Sequence, residues 1–202
     1  MRRNSEEKEN MKYDIVFAGV GGQGILSVAA TIASAAISEN LHVKQSEVHG
    51  MSQRGGAVTG TLRISDSEIH SPLVPLGTAD LILSIEPLES LRYLEYLSPE
   101  GQLVTAIAPV QNIGTNYPLM EEVLTEIRRL PNSRQIDAER LAREAGSTRA
   151  ANMVLVGASA AVLPLQPESL RNAVRKLFER KGSSIVEMNL KAFEAGRAAY
   201  AE

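Results

Sequence analysis

The sequence predicts an α/β fold: a single domain with an open, largely parallel sheet, helices on both faces (Rossmann-like) and a helical C-terminal third. Three observations predict it. Near-continuous apolar segments are typical of strands that are buried on both faces of a parallel sheet. These segments alternate with segments of helical periodicity, as in other α/β domains. The 202 residues, of which 44% are hydrophobic, are enough for one full core.

Six extended segments alternate with helices along the first two thirds of the chain. The first strand, at 13–20, is almost wholly apolar, and it is followed by glycines and an Ala-rich helix at 25–39. A third strand at 57–64 has alternating character instead. The other strands are expected at 41–48, 79–85, 103–110 and 134–136, and further helices at 88–97, at 117–130 and from about 137.

The last third of the chain is predicted to be helical. Asn189 is expected to cap the final helix, and 184–188 is a candidate for one short strand. Arg149 and Asn152 open the first helix of this part, either as caps or as contacts to a ligand. The small-residue segment 153–161 is expected to offer an apolar face to a partner. The helices are expected at 148–163, 167–180 and 189–200.

Charge and hydropathy exclude several classes of protein. Residues 1–10 are predicted to be a flexible, charged tail before one domain at 11–202, and Met11 is an alternative start to Met1. The net charge of −3 and scattered basic residues predict no nucleic-acid surface. No segment reaches the roughly 20 apolar residues of a membrane helix, and no signal peptide is recognised, so we expect a cytoplasmic protein.

The sequence also argues against metal centres in this chain. It contains no cysteine, so it cannot hold an ordinary Cys-ligated iron–sulfur cluster. Its three histidines, His42, His49 and His70, lack the spacing of known metal-binding motifs. We therefore expect no metal bound by this chain.

A glycine motif lies between the first strand and the first helix. The spacing GxGxxG there allows a pyrophosphate-binding turn, another anionic ligand, a partner segment, or only close packing of helix on strand. A dinucleotide site also needs an acidic residue at the tip of the second strand, for which Glu47 is the nearby candidate. The motif GVGGQG supplies Gly19, Gly21, Gly22, Gln23 and Gly24.

A second polar segment, SEVHGMSQRGG, follows the second strand. His49 is expected to orient substrate or exchange a proton, or else to be an ordinary hydrogen-bonded loop residue. Arg54 is expected to bind a carboxylate or a coenzyme A phosphate, or else to pair with Glu47. The ligand-binding or partner-facing candidates are Ser46, Glu47, Gly50, Ser52, Gln53, Gly55 and Gly56.

Together these two motifs resemble the gamma-type subunits of 2-oxoacid:ferredoxin oxidoreductases, and the HGMSQRGG wording is most similar to the beta subunits of the indolepyruvate enzymes. The segments PLGTADLIL at 75–83, with Glu86 and Pro87 after it, and NMVLVGA at 152–158 extend the resemblance over nearly the whole chain. The 2-oxoacid itself and the stoichiometry of the complex stay open.

The resemblance implies a subunit of an enzyme that converts an aryl 2-oxoacid, coenzyme A and oxidised ferredoxin to an aryl-acetyl-CoA, CO2 and reduced ferredoxin. It implies that a large alpha subunit carries thiamine diphosphate, Mg and the iron–sulfur clusters, and that this chain holds no cofactor alone, with supporting catalytic roles for His49 and Arg54. Two other functions remain open: a free-standing NAD(P)- or FAD-binding oxidoreductase, and a non-catalytic assembly module.

Overall fold

In a computed structural model, residues 10–49, 55–110 and 116–201 are described, with the backbone but not the side chain of His49. Most of the predicted tail at 1–10 therefore lies outside the described residues. The strands are β1 (Lys12–Val20), β2 (His42–His49), β3 (Ala57–Ser65), β4 (Ala79–Ser84), β5 (Leu97–Ala106) and β6 (Ser133–Ile136). The helices are α1 (Ile25–Ser38), α2 (Pro87–Arg92), α3 (Met120–Arg129), α4 (Ala138–Ala145), α5 (Ala151–Ser159), α6 (Pro167–Phe178) and α7 (Ser183–Ala201).

These strands form one open sheet in the order β2-β3-β1-β4-β5-β6. The pairs β1–β4, β4–β5 and β5–β6 are parallel, whereas β3 is antiparallel to both β1 and β2. Only β3 therefore runs against the other strands, which confirms the largely parallel sheet. The alternating sequence of β3 fits a strand with antiparallel neighbours.

Helices cover both faces of the sheet, as predicted. Successive side chains of a strand point to opposite faces, so Ile15 and Phe17 of β1 join one apolar cluster while Val16 joins another. The larger cluster packs under α1 and α4 to α7, and the smaller one under α2 and α3. Almost all of β1 is buried, which explains why its sequence is a continuous apolar run.

The helical C-terminal third is confirmed, although its boundaries differ from the prediction. A 3-10 turn at Thr148–Ala150 precedes α5, which ends at Ser159. The candidate strand at 184–188 is wrong, because α7 already begins at Ser183. Asn189 is therefore no cap: it is buried inside α7, where its amide donates to the Ile185 carbonyl.

The prediction that 153–161 offers an apolar face to a partner is wrong as well. Met153, Val154 and Leu155 are buried beneath α7 and the sheet. Helix α5 contacts α7 backbone to backbone at Gly157, since a Cβ there would overlap the Phe193 carbonyl. The small residues of α5 serve this close helix crossing and not a docking face.

A candidate functional site at the carboxyl edge of the sheet

The glycine motif forms a tight turn between β1 and α1. Gly22 and Gly24 have positive φ angles, 101° and 80°, that side chains with a Cβ rarely adopt. A Cβ at Gly19 would lie 3.2 Å from the Gln23 Oε1, so this glycine is required for close packing. The turn therefore explains its glycines without any ligand, although Gly22 and Gly24 are exposed.

Gln23 fastens this turn to the sheet. Its side-chain Oε1 accepts from the Val20 N–H at 2.7 Å, and its Nε2 lies 3.5 Å from the Ile85 carbonyl oxygen. Its side-chain amide is thus engaged within the turn, and a role of Gln23 toward a ligand or the partner stays a prediction.

The glycine turn contacts the end of the second polar segment directly. The Gly21 N–H donates to the Gly56 carbonyl at 2.8 Å, and the Gly55 N–H donates to the Gly21 carbonyl at 3.2 Å. Two motifs that lie more than thirty residues apart in the sequence are thus joined into one surface. Ser46 and Glu47 lie on β2, where they pair with Thr61 and Gly60 of β3.

Five candidates cannot be placed in this surface in full. Arg54 and three other candidates of the same segment lie outside the described residues. Of His49 only the backbone is described, and it pairs with Val58 of β3. Their proposed roles stay predictions. The other three candidates outside the described residues are Gly50, Ser52 and Gln53.

The sheet order does not match a dinucleotide-binding fingerprint. In that fingerprint the acidic residue stands at the tip of the strand next to β1. Here β3 lies between β1 and β2, so Glu47 is two strands away from the glycine turn. The Gly21 N–H and carbonyl are also engaged with Gly55 and Gly56, which removes one backbone donor from any pyrophosphate.

Asn152 braces the turn from the opposite side. Its Nδ2 donates to the Gln23 carbonyl at 2.9 Å and lies 3.3 Å from the Gly24 carbonyl oxygen. The expectation that Asn152 caps its own helix is wrong, because Ser147 is the residue whose side chain accepts from the Arg149 N–H. Arg149 is exposed and borders a cavity beside this brace.

Two cavities flank the carboxyl ends of β1 and β4. Since α1 follows β1 onto one face and α2 follows β4 onto the other, this is a topological switch point, where open α/β sheets bind ligands. The apolar cavity, about 210 Å³, is lined by Gln23, Ile85, Ala106, Pro109, Asn152 and Leu155, among others. The acidic cavity, about 270 Å³, is lined by Val20, Gly55, Glu86, Glu89, Arg92 and Tyr117, among others.

Glu86 holds the wall of the acidic cavity together. Its side chain is buried and caps α2 by accepting from the Glu89 N–H at 2.8 Å. Its Oε1 accepts from the Tyr117 hydroxyl and lies 3.4 Å from the Val110 N–H. Burial, together with the hydrogen bond to Glu86, raises the pKa of Tyr117 above its ordinary value. Glu86 thus ties both ends of the segment 110–117 to α2.

Glu89 is the second carboxylate of this cavity. Its Oε1 accepts from the Arg92 Nε at 3.0 Å, while its Oε2 is buried without a hydrogen-bond partner among the described residues. Burial raises the pKa of Glu89; Arg92 opposes this increase, and the nearby Glu86 adds to it. Neither carboxylate was predicted as a site residue from the sequence. The available signal was an acidic residue at the end of an apolar strand, followed by proline at the first position of a helix.

A family model described as pyruvate ferredoxin/flavodoxin oxidoreductase matches residues 14–199. The chain belongs to this family. It is 38% identical to the indolepyruvate oxidoreductase subunit IorB of Methanothermobacter thermautotrophicus, over 95% of this chain and 100% of that protein.

Solved structures of this oxidoreductase family share the fold. The gamma subunit of a keto/oxoacid ferredoxin oxidoreductase from Geobacter sulfurreducens superposes with a TM-score of 0.69 at 26% identity, over 94% of this chain and 98% of that one. A 2-oxoglutarate:ferredoxin oxidoreductase from Magnetococcus marinus gives a TM-score of 0.74 at 22% identity over 94% of this chain, a likeness of fold alone. This chain spans only 31% of the Magnetococcus chain.

The described part of the chain contains no cluster of side chains suited to a metal ion. Across residues 10–49, 55–110 and 116–201, no group of three or more His, Cys, Asp or Glu side chains could hold one. None of the described helices is long and apolar enough to cross a membrane.

Proposed function

We propose that this chain is the gamma-type subunit of an indolepyruvate:ferredoxin oxidoreductase and acts beside a large alpha subunit. The complex would convert an aryl 2-oxoacid, coenzyme A and oxidised ferredoxin to an aryl-acetyl-CoA, CO2 and reduced ferredoxin, in the cytoplasm. One observation carries this proposal: the similarity to a subunit named indolepyruvate oxidoreductase IorB extends over that protein's whole length.

The absence of cysteine from the sequence supports the division of work between the subunits. Iron–sulfur clusters are held mainly by Cys thiolates, and this chain contains no cysteine. In this proposal the alpha subunit therefore holds the clusters, together with thiamine diphosphate and Mg. Coenzyme A is a co-substrate of the complex.

The surface of α1 supports an obligatory partner. This helix has no charged residue in its 14 positions, although Leu26 and Ile37 are 44% and 61% exposed. A helix at a free surface normally has a polar face, and both α3 and α6 carry several charged residues. We therefore assign the outer face of α1, which begins at the glycine turn, to the contact with the alpha subunit.

Residues around the glycine turn would complete the active site from this side. We propose that the turn at 19–24 and the segment 46–56 face the alpha subunit, with His49 and Arg54 in supporting catalytic roles. The hydrogen bonds between Gly21 and Gly55 and between Gly21 and Gly56 favour this arrangement, because they hold both motifs in one surface.

The test is reconstitution with the proposed alpha subunit, a thiamine-dependent, Cys-rich chain that we expect to be encoded next to this one. We expect the complex, and neither chain alone, to reduce ferredoxin when both indolepyruvate and coenzyme A are added. Ile37→Glu should prevent assembly, whereas Leu177→Glu, at another exposed leucine on α6, should not. Reduction of NAD(P) or a flavin by the isolated chain would instead favour the free-standing oxidoreductase, and assembly without any effect on catalysis would favour the assembly module.

A further inference from the structure

The buried carboxylates of this chain differ in how well they are satisfied. Among the described residues, Asp14, Glu86 and Glu89 are the buried acidic side chains. Arg63 and Lys12 pair with the two oxygens of Asp14, at 2.9 and 2.8 Å. Both oxygens of Glu86 accept hydrogen bonds within the fold. Of these three acids, only Glu89 keeps one buried oxygen, Oε2, for which the described residues supply no donor.

An unsatisfied carboxylate oxygen is costly in a folded protein. A buried acceptor without a donor has lost its hydration and gained nothing in return, and the cost is larger for a charged group. Arg92 supplies only part of the compensation, because its guanidinium contacts Oε1 and its side chain is 58% exposed. Any group that brings a further N–H donor to Glu89 would therefore be favoured.

The acidic cavity gives such a donor a place to enter. Glu89 lines the cavity, and the last torsion of a glutamate side chain is broad, so its carboxylate can reorient toward an incoming group. Glu86, Glu89 and Arg92 together carry one excess negative charge when both acids are ionised, which attracts a cation. The Tyr117 oxygen adds an acceptor to the same wall.

The position of the cavity, whose volume is about 270 Å³, indicates a side chain of the partner. Val20 and Gly55 form one side of it, so it lies beside the glycine turn that the proposed function places against the alpha subunit.

We propose that the acidic cavity receives a basic side chain, arginine or lysine, from the alpha subunit, and that Glu89 is the residue that binds it. This inference rests on the proposed function, since it needs that partner. The incoming N–H donors satisfy Glu89, and the charge pair fixes the orientation of the two subunits around the glycine turn.

The experiment compares Glu89→Gln with Glu95→Gln in the full chain. Glu95 is an exposed acid on the turn after α2 and does not line the cavity, so it controls for the loss of one negative charge. We expect Glu89→Gln to weaken binding to the alpha subunit roughly ten- to a hundredfold, because a charge-assisted contact is lost. Glu95→Gln should bind like the parent.

Melting of the isolated chain provides the second measurement. If Glu89 serves the partner, Glu89→Gln should melt at the parent's temperature or above it, because the variant no longer buries an unsatisfied charge. Equal affinities of the two variants, with the parent complex forming normally, would overturn the inference and leave the proposed function intact. A lower melting temperature for Glu89→Gln would also overturn it, by showing a structural role. Failure of the parent to bind the alpha subunit would reject the proposed function and this inference together.

Discussion

The two faces of the sheet bury different kinds of side chain. The face under α1 and α4 to α7 is an almost wholly apolar cluster, closed by a crossing of α5 and α7 at Gly157 and Gly196. The face under α2 and α3 has a smaller apolar cluster, and the carboxylates Glu86 and Glu89 are buried beside it. The first arrangement favours stability. The second keeps charged groups in place beside the proposed interface at a cost in stability, as functional sites often do.

The largest loss of stability is expected at the α5–α7 crossing. Gly157→Ala would place a Cβ against the Phe193 carbonyl, so the two helices must separate. We expect a loss of about 3 kcal/mol or more in the free energy of unfolding, measured by denaturant titration. Gly182→Ala is the control, since its Cβ meets nothing within 4 Å and only its backbone conformation, φ 97° and ψ 158°, is unfavourable, worth about 1 to 3 kcal/mol. A loss at Gly157→Ala no larger than that at Gly182→Ala would contradict the close crossing, because the helical backbone at Gly157 itself suits alanine.

On the other face, Glu86→Gln should give a smaller loss of stability. Glutamine has one carboxamide oxygen and one amino group, so it cannot accept at both positions, as Glu86 does for the Glu89 N–H and the Tyr117 hydroxyl. We expect a loss of about 1 to 3 kcal/mol. Tyr117→Phe, which removes only one of these bonds, should lose about 1 kcal/mol in the same denaturant titration. If Tyr117→Phe costs as much as Glu86→Gln, the contact to α2 contributes little.

Glu89 should make the stability of this face depend on pH. Its folded-state pKa is raised, by burial first and by Glu86, against the opposing charge of Arg92. Protonated Glu89 therefore favours the folded state. This contribution is fully present below the pKa of the unfolded chain, about 4.3, and is lost as pH rises through the higher pKa of the folded protein. Relative to Glu89→Gln, the parent should lose stability over that interval, by no more than about 1 kcal/mol. Parallel curves of stability against pH for the two proteins would contradict this.

Much of the fold could be predicted because its causes are local in the sequence. Apolar runs such as the one in β1 predicted the parallel strands, and the glycines predicted the turn before α1. The brace from Asn152 to Gln23 could not be predicted, because it joins residues 129 positions apart. The insertion of β3 between β1 and β2 was missed for the same reason, and it is what separates Glu47 from the glycine turn.

The candidate site was predicted less completely than the fold. Motif spacing identified the glycine turn and the segment 46–56, and the hydrogen bonds of Gly21 bring their ends together. Glu86 and Glu89 were missed because a carboxylate in a sequence carries no sign of its burial. The segment 153–161 shows the opposite error, since small apolar residues suit a close helix crossing as well as a docking face.

The smallest change in stability is expected at Arg54, which lies outside the described residues and in the segment proposed to face the alpha subunit. Because two glycines follow Arg54 and its loss is expected to remove little buried apolar area, its replacement by alanine should change the unfolding free energy by no more than about 0.5 kcal/mol. Activity of the assembled complex should fall much further. If Arg54 binds an anionic group of the 2-oxoacid or of coenzyme A, Arg54→Ala removes a contact worth about 1.5 to 3 kcal/mol, or roughly ten- to a hundredfold in turnover or apparent affinity.

Steady-state kinetics of the complex, with the 2-oxoacid and coenzyme A varied separately, would show which substrate Arg54 serves. Arg54→Lys should recover only part of the activity, because an ammonium lacks the bidentate geometry of a guanidinium. Arg180→Ala, at an exposed arginine after α6, is the control for loss of one positive charge. A melting temperature far below the parent's, with unchanged kinetics once assembled, would make Arg54 a structural ion-pair partner. In that case the segment 46–56 would contribute to folding on its own side of the interface, and the chemistry would depend on the alpha subunit alone.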